Sequence, residues 1–175
     1  MYTIISSTNR KDSVTRKLAT IYHELLRKKG IDSTIIDLCD LPDDYITSAL
    51  YENNGLNQAF NINRELMLKG SKFIFIVPEY NGSFPGILKA FIDGLKFPTT
   101  FTGKKCALVG LSAGEQGAGL ALSHLTDIFN YCGMNVLAYK PRLSNIEENI
   151  DVTDELLGDR YHRYLERQAE QFIVF

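Results

Sequence analysis

Phe73-Ile74-Phe75-Ile76-Val77-Pro78-Glu79-Tyr80-Asn81-Gly82-Ser83-Phe84-Pro85-Gly86 decides the fold. The apolar run Phe73 to Val77 reads as a strand buried on both faces, as in a parallel sheet covered by helices. From Ile87 the apolar residues recur at helical spacing, at Phe91 and Leu95. Between strand and helix stand prolines, glycines and an asparagine. Pro78 and Pro85 fix the path, while Gly82 and Gly86 let backbone come close to a ligand. A plain turn with an N-cap at Ser83 would need fewer special residues. The loop therefore reads as one that lays successive amides along the edge of a flat ring.

Working outward, the same alternation repeats. Strands are predicted at Tyr2–Ser6, Ser33–Asp37, Lys72–Val77, Lys105–Leu111 and Asn135–Tyr139. Helical spacing links Val14, Leu18, Ile21 and Leu25, and Gly30 after three cations makes a sound stop. It also links Ala59, Ile62 and Leu66, then Ala118, Leu122, Leu125, Phe129 and Cys132, and finally Leu157, Tyr161, Tyr164, Leu165, Gln168 and Phe172. Leu38–Gly55 is polar with scattered Leu and Tyr and reads only as a long connection. Strands alternating with helices predict an α/β fold, one domain over residues 1–175 with a doubly wound five-stranded parallel sheet. The common order for five strands is 2-1-3-4-5, with the ligand beyond the carboxyl ends of strands 1 and 3.

Composition narrows the function. The 19 basic and 21 acidic residues of the chain nearly cancel, so neither nucleic acid nor an anionic membrane surface is indicated as a partner. Arg27-Lys28-Lys29 and Lys104-Lys105 read as solvated helix and strand ends. No apolar run approaches the ~18–20 residues that span a bilayer, and the N-terminus shows no leader pattern; the expectation is a cytoplasmic protein. Cys39, Cys106 and Cys132 have no C-x-x-C spacing and read as reduced thiols. His23, His124 and His162 lie far apart within helical patterns and read as neither metal ligands nor catalytic bases.

Two further strand-to-helix loops join the first. Ser6 to Thr15 carries hydroxyls at Thr8, Ser13 and Thr15 together with Arg10. Free amides and the positive helix end make such a turn an anion site, and these side chains supply the donors a phosphate needs. N-capping by Asp12 or Ser13 would explain one of these residues but not the set. No dinucleotide fingerprint or Walker loop is present. The third loop, Leu111 to Gly119, is rich in glycine and follows the strand beside the second loop. A phosphate cradle on strand 1 and a ring clamp on strands 3 and 4 describe a mononucleotide with a flat aromatic head.

These loops resemble those of the NAD(P)H-dependent FMN reductases of the flavodoxin-like superfamily, which include flavin, quinone, azo-dye and chromate reductases. The family's first loop, G-S-x-R-x-x-S-x-[NT], is similar to Ser7-Thr8-Asn9-Arg10-Lys11-Asp12-Ser13-Val14-Thr15. Its second, P-E-Y-N-G-S-x-P-G, matches Pro78 to Gly86 at every specified position, and Ile87 to Asp93 resembles the L-K-N-x-x-D continuation. The resemblance implies FMN as cofactor and NADPH or NADH as co-substrate. It implies that Thr8, Arg10, Ser13 and Thr15 hold the phosphate, with Asn9 of the same loop also binding the cofactor, and that Pro78, Glu79, Tyr80, Asn81, Gly82 and Ser83 line the isoalloxazine. Ser112, Ala113 and Gly114, within the loop to Gly117, close the other edge. It further implies a homodimer or homotetramer whose neighbouring subunit borders the flavin. Ser7 stands where the family has glycine, Asp12 puts a carboxylate near the phosphate, Gly117-Ala118-Gly119 replaces an adjacent glycine pair, and Gly94 replaces a frequent Trp.

The function this implies is hydride transfer from NAD(P)H through bound FMN to a small acceptor such as a free flavin, a quinone or an azo compound. No side chain needs to act as nucleophile or general acid, so no catalytic residue and no metal are expected. Two other readings share the fold. A flavodoxin-type electron carrier would be strongly acidic, whereas the net charge here is −2. A flavin-free regulatory member would account for Ser7, Asp12 and the altered third loop.

Overall fold

The computed structural model describes residues 1–151 and 156–175 of the chain; residues 152–155 of the expected single domain lie outside them. Strands β1 (Tyr2–Ser6), β2 (Ser33–Asp37), β3 (Lys72–Pro78), β4 (Lys105–Leu111), β5 (Asn135–Val136) and β6 (Arg142–Leu143) form one parallel sheet. Its order is β2-β1-β3-β4-β5, with β6 also on β4. This is the order the sequence predicts, so the chain has the flavodoxin-like doubly wound fold.

The strand period of two sorts the core into two faces. Ile5, Phe73, Phe75, Val77 and Leu108 point to one side, where they meet α2 (Tyr45–Ser48), α3 (Gln58–Lys69), α4 (Gly86–Asp93) and α5 (Gly119–Tyr131). Ile4, Ile74, Ile76 and Val109 point to the other, under α1 (Val14–Lys28) and α6 (Asp159–Val174). Both faces of β3 and β4 are covered, which is why these two strands are apolar almost throughout.

Three expectations change. The last strand is predicted over Asn135–Tyr139 but ends at Val136. The buried Gln168 of α6 donates from Nε2 to the Leu108 carbonyl at 2.8 Å and to the Tyr139 carbonyl at 3.0 Å. Its amide takes the bond the next strand residue would have made. The chain rejoins β4 through Gly110 N–H to the Pro141 carbonyl and Ser112 N–H to the Leu143 carbonyl, so β5 and β6 are two pieces of one interrupted edge.

The second change is the face of α3. Ala59 and Ile62 are exposed, and Phe60 and Met67 are the buried pair. Phe60 stacks on Tyr45 at 5.1 Å and meets Phe91 edge-on at 5.9 Å. Two large rings outweigh one isoleucine in buried area. The same contacts resolve Leu38–Gly55, whose Leu38, Leu41, Tyr45, Ala49 and Leu50 are all buried. This connection folds into single turns (Leu38–Asp40, α2 and Tyr51–Asn53) and closes one end of the core.

The third concerns Lys104 and Lys105, read as solvated. The Lys104 ammonium donates to the Met67 and Leu68 carbonyls at 3.0 and 2.8 Å, and that of Lys105 donates to the Phe175 carbonyl. These are the free carbonyls at the ends of α3 and α6, where a cation is favoured by the helix dipole.

Candidate functional site

The three loops leave β1, β3 and β4, which are adjacent, so their carboxyl ends meet. Ser7 N–H donates to the Ile76 carbonyl at 3.1 Å, and Glu79 N–H donates to the Leu111 carbonyl at 3.1 Å. These bonds fix where each loop departs. Between them lies a cleft of about 380 Å³ walled by Arg10 to Thr15, Pro78 to Tyr80, Leu111 to Ala113, Ile146 and Glu147. Its size is that of a small-molecule site.

The first loop ends in a helix cap. Ser13 Oγ accepts from Arg16 N–H at 3.1 Å, the capping expected of that residue type. The Ser13 hydroxyl keeps its own proton to donate. Among the described residues, the first-turn amides of Val14 and Thr15 have no partner within the chain, which leaves an anion cradle beside the Arg10 guanidinium. Ser7 fits in place of glycine because its buried hydroxyl donates to the Ile5 carbonyl at 3.3 Å. Asp12 sits at φ 50, a left-handed position its short polar side chain tolerates, and it is exposed.

Thr8 takes a place the sequence did not indicate. It is fully buried, and its Oγ1 shares a 2.7 Å hydrogen bond with the Tyr80 hydroxyl while accepting from Arg10 N–H at 3.3 Å. Thr8 thus ties the second loop to the first instead of joining the cleft wall, and Asn9 is exposed beside it.

The second loop is a two-residue hairpin. Tyr80 and Ser83 exchange both backbone hydrogen bonds, at 2.8 and 3.1 Å, across Asn81 and Gly82. Both central residues have positive φ, 52 and 73, the Asn-Gly geometry of a type I′ turn. A tight turn is therefore present, but the helix cap is Pro85, not Ser83. The amides of Glu79, Tyr80 and Ser83 are spent on carbonyls. Those of Asn81 and Gly82 have no partner within the described residues and remain available. Asn81, Gly82 and Ser83 lie beyond the cleft wall, following Tyr80.

The third loop is held from below. The Ser112 hydroxyl donates to the Gly114 carbonyl at 2.7 Å and accepts from Gly117 N–H at 2.9 Å. Asn145 N–H donates to the Gly114 carbonyl and Ile146 N–H to the Ser112 carbonyl. Ser112 and Ala113 reach the cleft wall, and Gly114 does not. At Gly117 (φ 57) a Cβ would lie 2.7 Å from Arg142 Cβ, so this glycine is required by β6 crossing over it.

Several residues at the site carry no sequence signal. Ile146 and Glu147 enter through the single turn Ile146–Glu148, which the interrupted strand swings back onto the third loop. His124 of α5 hydrogen-bonds through Nδ1 to Ser83 Oγ at 2.9 Å, beside the turn. Only a contact across 41 residues places it there.

Within the wall, one oxygen of the Glu79 carboxylate is buried and makes no hydrogen bond. Free first-turn amides beside a cation, and unpaired amides on the neighbouring turn, fit a phosphorylated, ring-bearing ligand such as FMN.

The sequence model of the NADPH-dependent FMN reductase family matches residues 2–145. The chain is 25% identical over 181 residues to a 2-hydroxy-1,4-benzoquinone reductase of a Burkholderia species, covering 98% of this chain and 93% of that one. It is 32% identical over 111 residues to an NAD(P)H-dependent FMN reductase of Pseudomonas aeruginosa, covering 61% of this chain and 60% of that one. In structure it resembles FerB, a flavoenzyme NAD(P)H:(acceptor) oxidoreductase of Paracoccus denitrificans. The TM-score is 0.75 at 22% identity, covering 99% of this chain and 94% of that one.

Proposed function

Since the chain belongs to the NADPH-dependent FMN reductase family, an oxidoreductase family, we propose that it binds FMN in this cleft. It then reduces a small acceptor (a quinone, a free flavin or an azo compound) at the expense of NADPH or NADH. One observation carries the reading. Loops from three adjacent strands meet in one cleft with a cation and free amides on one loop, and the next loop carries a free-amide turn just beyond the cleft wall.

FMN held here would supply the two-electron redox chemistry between a nicotinamide and the second substrate. The chain's residues bind and orient. Arg10, the Ser13 and Thr15 hydroxyls and the amides of Val14 and Thr15 would hold the phosphate, with charge-assisted hydrogen bonds stronger than neutral ones. The Asn81 and Gly82 amides would face the ring edge, fixed in direction by the hairpin bonds of Tyr80 and Ser83. Tyr80, anchored by Thr8, keeps the turn in register with the phosphate loop. Ser112 shapes the third loop, so that Ala113 closes the opposite side. No side chain of the wall need act as nucleophile.

The same reading includes a homodimer or homotetramer in the cytoplasm, with a neighbouring copy beside the ring. Its support is an exposed apolar surface next to the turn. Leu120, 59% exposed, lies 3.8 Å from where a Cβ of Gly82 would be. Phe97 and Tyr131, 61% and 84% exposed, stack on the same side of the sheet. None of the described helices is long and apolar enough to cross a membrane.

The test is the visible spectrum of the purified protein. It should be yellow or become so with added FMN, and NADPH or NADH should bleach it under anaerobic conditions without a partner protein. Failure to take up FMN even at high concentration would refute the proposal.

A further inference from the structure

The turn that offers the Asn81 and Gly82 amides has a neighbour from another element. Ser83 Oγ and His124 Nδ1 share a hydrogen bond of 2.9 Å. One helical turn earlier, Leu120 lies 3.8 Å from where a Cβ of Gly82 would be. Helix α5 thus flanks the turn with an aliphatic side chain and an imidazole. Nε2 of His124 has no hydrogen-bond partner among the described residues, and the residue is exposed. The other two histidines, His23 of α1 and His162 of α6, belong to helices on the opposite face of the sheet.

The acceptors of the proposed reaction need more than a hydride. A quinone that takes one becomes an oxyanion and an azo compound a nitrogen anion, and each is complete only after a further proton. An imidazole is the side chain most often used to supply it. In the FMN reading the ring edge faces the Asn81 and Gly82 amides, so an acceptor stacked on the ring lies beside the same turn. The hydroxyls of the loops around it are already engaged. That of Tyr80 is shared with Thr8, and that of Ser112 donates to the Gly114 carbonyl. The charged residues of the second and third loops, α4 and α5 are Glu79, Glu115, Lys89, Asp93 and Asp127. Lys89 and Asp93 pair with each other at 2.7 Å, and none of the five bonds to His124. No carboxylate therefore holds back its proton.

We propose that His124 is the proton donor to the reduced acceptor, with Ser83 holding its ring in place. The proposal rests on the FMN reading of the cleft. As the acceptor takes its hydride, the doubly protonated imidazole gives up the proton on Nε2. The Nε2–H bond breaks, an O–H or N–H bond forms on the acceptor, and the imidazole is left neutral. Nδ1–H donates to Ser83 Oγ before and after the transfer, so one hydrogen bond serves both states. Water returns a proton to the exposed ring before the next cycle.

The experiment compares FMN-loaded wild type, His124→Ala, His124→Gln and Ser83→Ala. 1,4-Benzoquinone, which needs a proton with its hydride, is set against ferricyanide, which takes electrons alone. Both His124 variants should reduce benzoquinone about 100-fold more slowly, the low end for a positioned general acid because water also enters an exposed site. Ferricyanide reduction, bleaching by NAD(P)H and FMN affinity in a fluorescence titration should stay within about twofold of wild type. Ser83→Ala, which keeps the imidazole without its hold, should fall between. Added imidazole should restore the benzoquinone rate of His124→Ala. A second readout involves no turnover. Binding of the product 1,4-hydroquinone to the oxidised, loaded protein should weaken about two- to tenfold in His124→Ala, the worth of one hydrogen bond, and binding of 1,4-dimethoxybenzene should not change. Equal slowing with both acceptors, or FMN affinity falling along with the benzoquinone rate, would make His124 a prop of the turn and overturn the proposal. An unchanged benzoquinone rate would overturn it as well, with the FMN reading left intact. If wild type takes up no FMN, that reading itself falls and this proposal with it.

Discussion

Replacing Gly117 with Ala tests how the third loop is held, and the cost divides into two parts. The backbone at Gly117 has φ 57, a left-handed position that costs a residue with a Cβ ~1–2 kcal/mol. The new Cβ would lie 2.7 Å from Arg142 Cβ and 3.0 Å from the Arg142 carbonyl carbon. The second atom is backbone in β6 and cannot swing aside, so overpacking adds ~1–3 kcal/mol. Gly103→Ala isolates the first part, since Gly103 has φ 75 but no atom within 4 Å of its Cβ position. Gly114→Ala has neither penalty, with open space and no positive φ, and should stay within ~0.5 kcal/mol of wild type. For a chain of this size ~1 kcal/mol moves Tm by ~2–4 °C. Gly117→Ala should then lower Tm by roughly 4–20 °C, Gly103→Ala by roughly 2–8 °C and Gly114→Ala by ~2 °C at most. Circular dichroism melts of the cofactor-free proteins give the order. FMN titration should show weakened binding in Gly117→Ala only, because Gly117 N–H holds the hydroxyl of Ser112 in the cleft wall, whereas Gly103 lies outside the three loops. If Gly103→Ala costs as much as Gly117→Ala, or Gly114→Ala melts with Gly117→Ala, the account of the loop is wrong.

Arg10→Ala should weaken FMN about 10- to 100-fold, the value of a charge-assisted bond to phosphate, while leaving riboflavin, which has no phosphate, nearly unchanged. Equal losses for both flavins in a fluorescence titration would mean that Arg10 does not read the phosphate. Tyr80→Phe removes the 2.7 Å bond to Thr8. It should cost ~0.5–1.5 kcal/mol in urea unfolding, and Thr8→Val in the same background should add little more; fully additive losses would show that the two hydroxyls are not coupled. Burial pushes the Cys106 thiol up to about 12. A folded pKa raised above the ordinary thiol value contributes stability that is complete below about pH 8.5 and is lost as pH rises toward about 12. Between pH 9 and 10.5 Cys106→Ala should therefore lose stability with pH less steeply than wild type, by up to ~1.4 kcal/mol per pH unit. Identical slopes in urea titrations would refute this.

Residues whose local pattern and tertiary role coincide were legible in the sequence. Phe73 to Val77 is apolar because β3 is covered on both faces, and the strand alternation carried the sheet order with it. The sequence argues against a plain turn at Asn81-Gly82, yet these two residues accept positive φ and make one. A cap at Asp12 or Ser13 was legible because short polar residues before a helix ordinarily cap it, and the structure has it at Ser13. The face of α3 was not legible. Ile62 has the better apolar spacing, but Phe60 finds Tyr45 and Phe91 across the core, and a partner chosen over distance overrides periodicity. The interrupted edge strand was hidden for the same reason, since it depends on a glutamine some 30 residues further along the chain.

The parts of the site that were not legible are those where one loop acts through another. Thr8 carries the residue type and spacing of a phosphate ligand, yet its hydroxyl is turned to Tyr80, 72 residues away. The first and second loops are thus joined through the Thr8–Tyr80 hydrogen bond. The third loop is likewise held by Asn145 and Ile146, which follow the interruption of the edge strand where Gln168 takes the Leu108 carbonyl. A change at Gln168 would therefore reach the cleft without touching it, by letting Asn135–Tyr139 pair through as a regular strand and drawing the Ile146 turn away. The interruption that looks like a flaw in the sheet is what completes the third wall of the site.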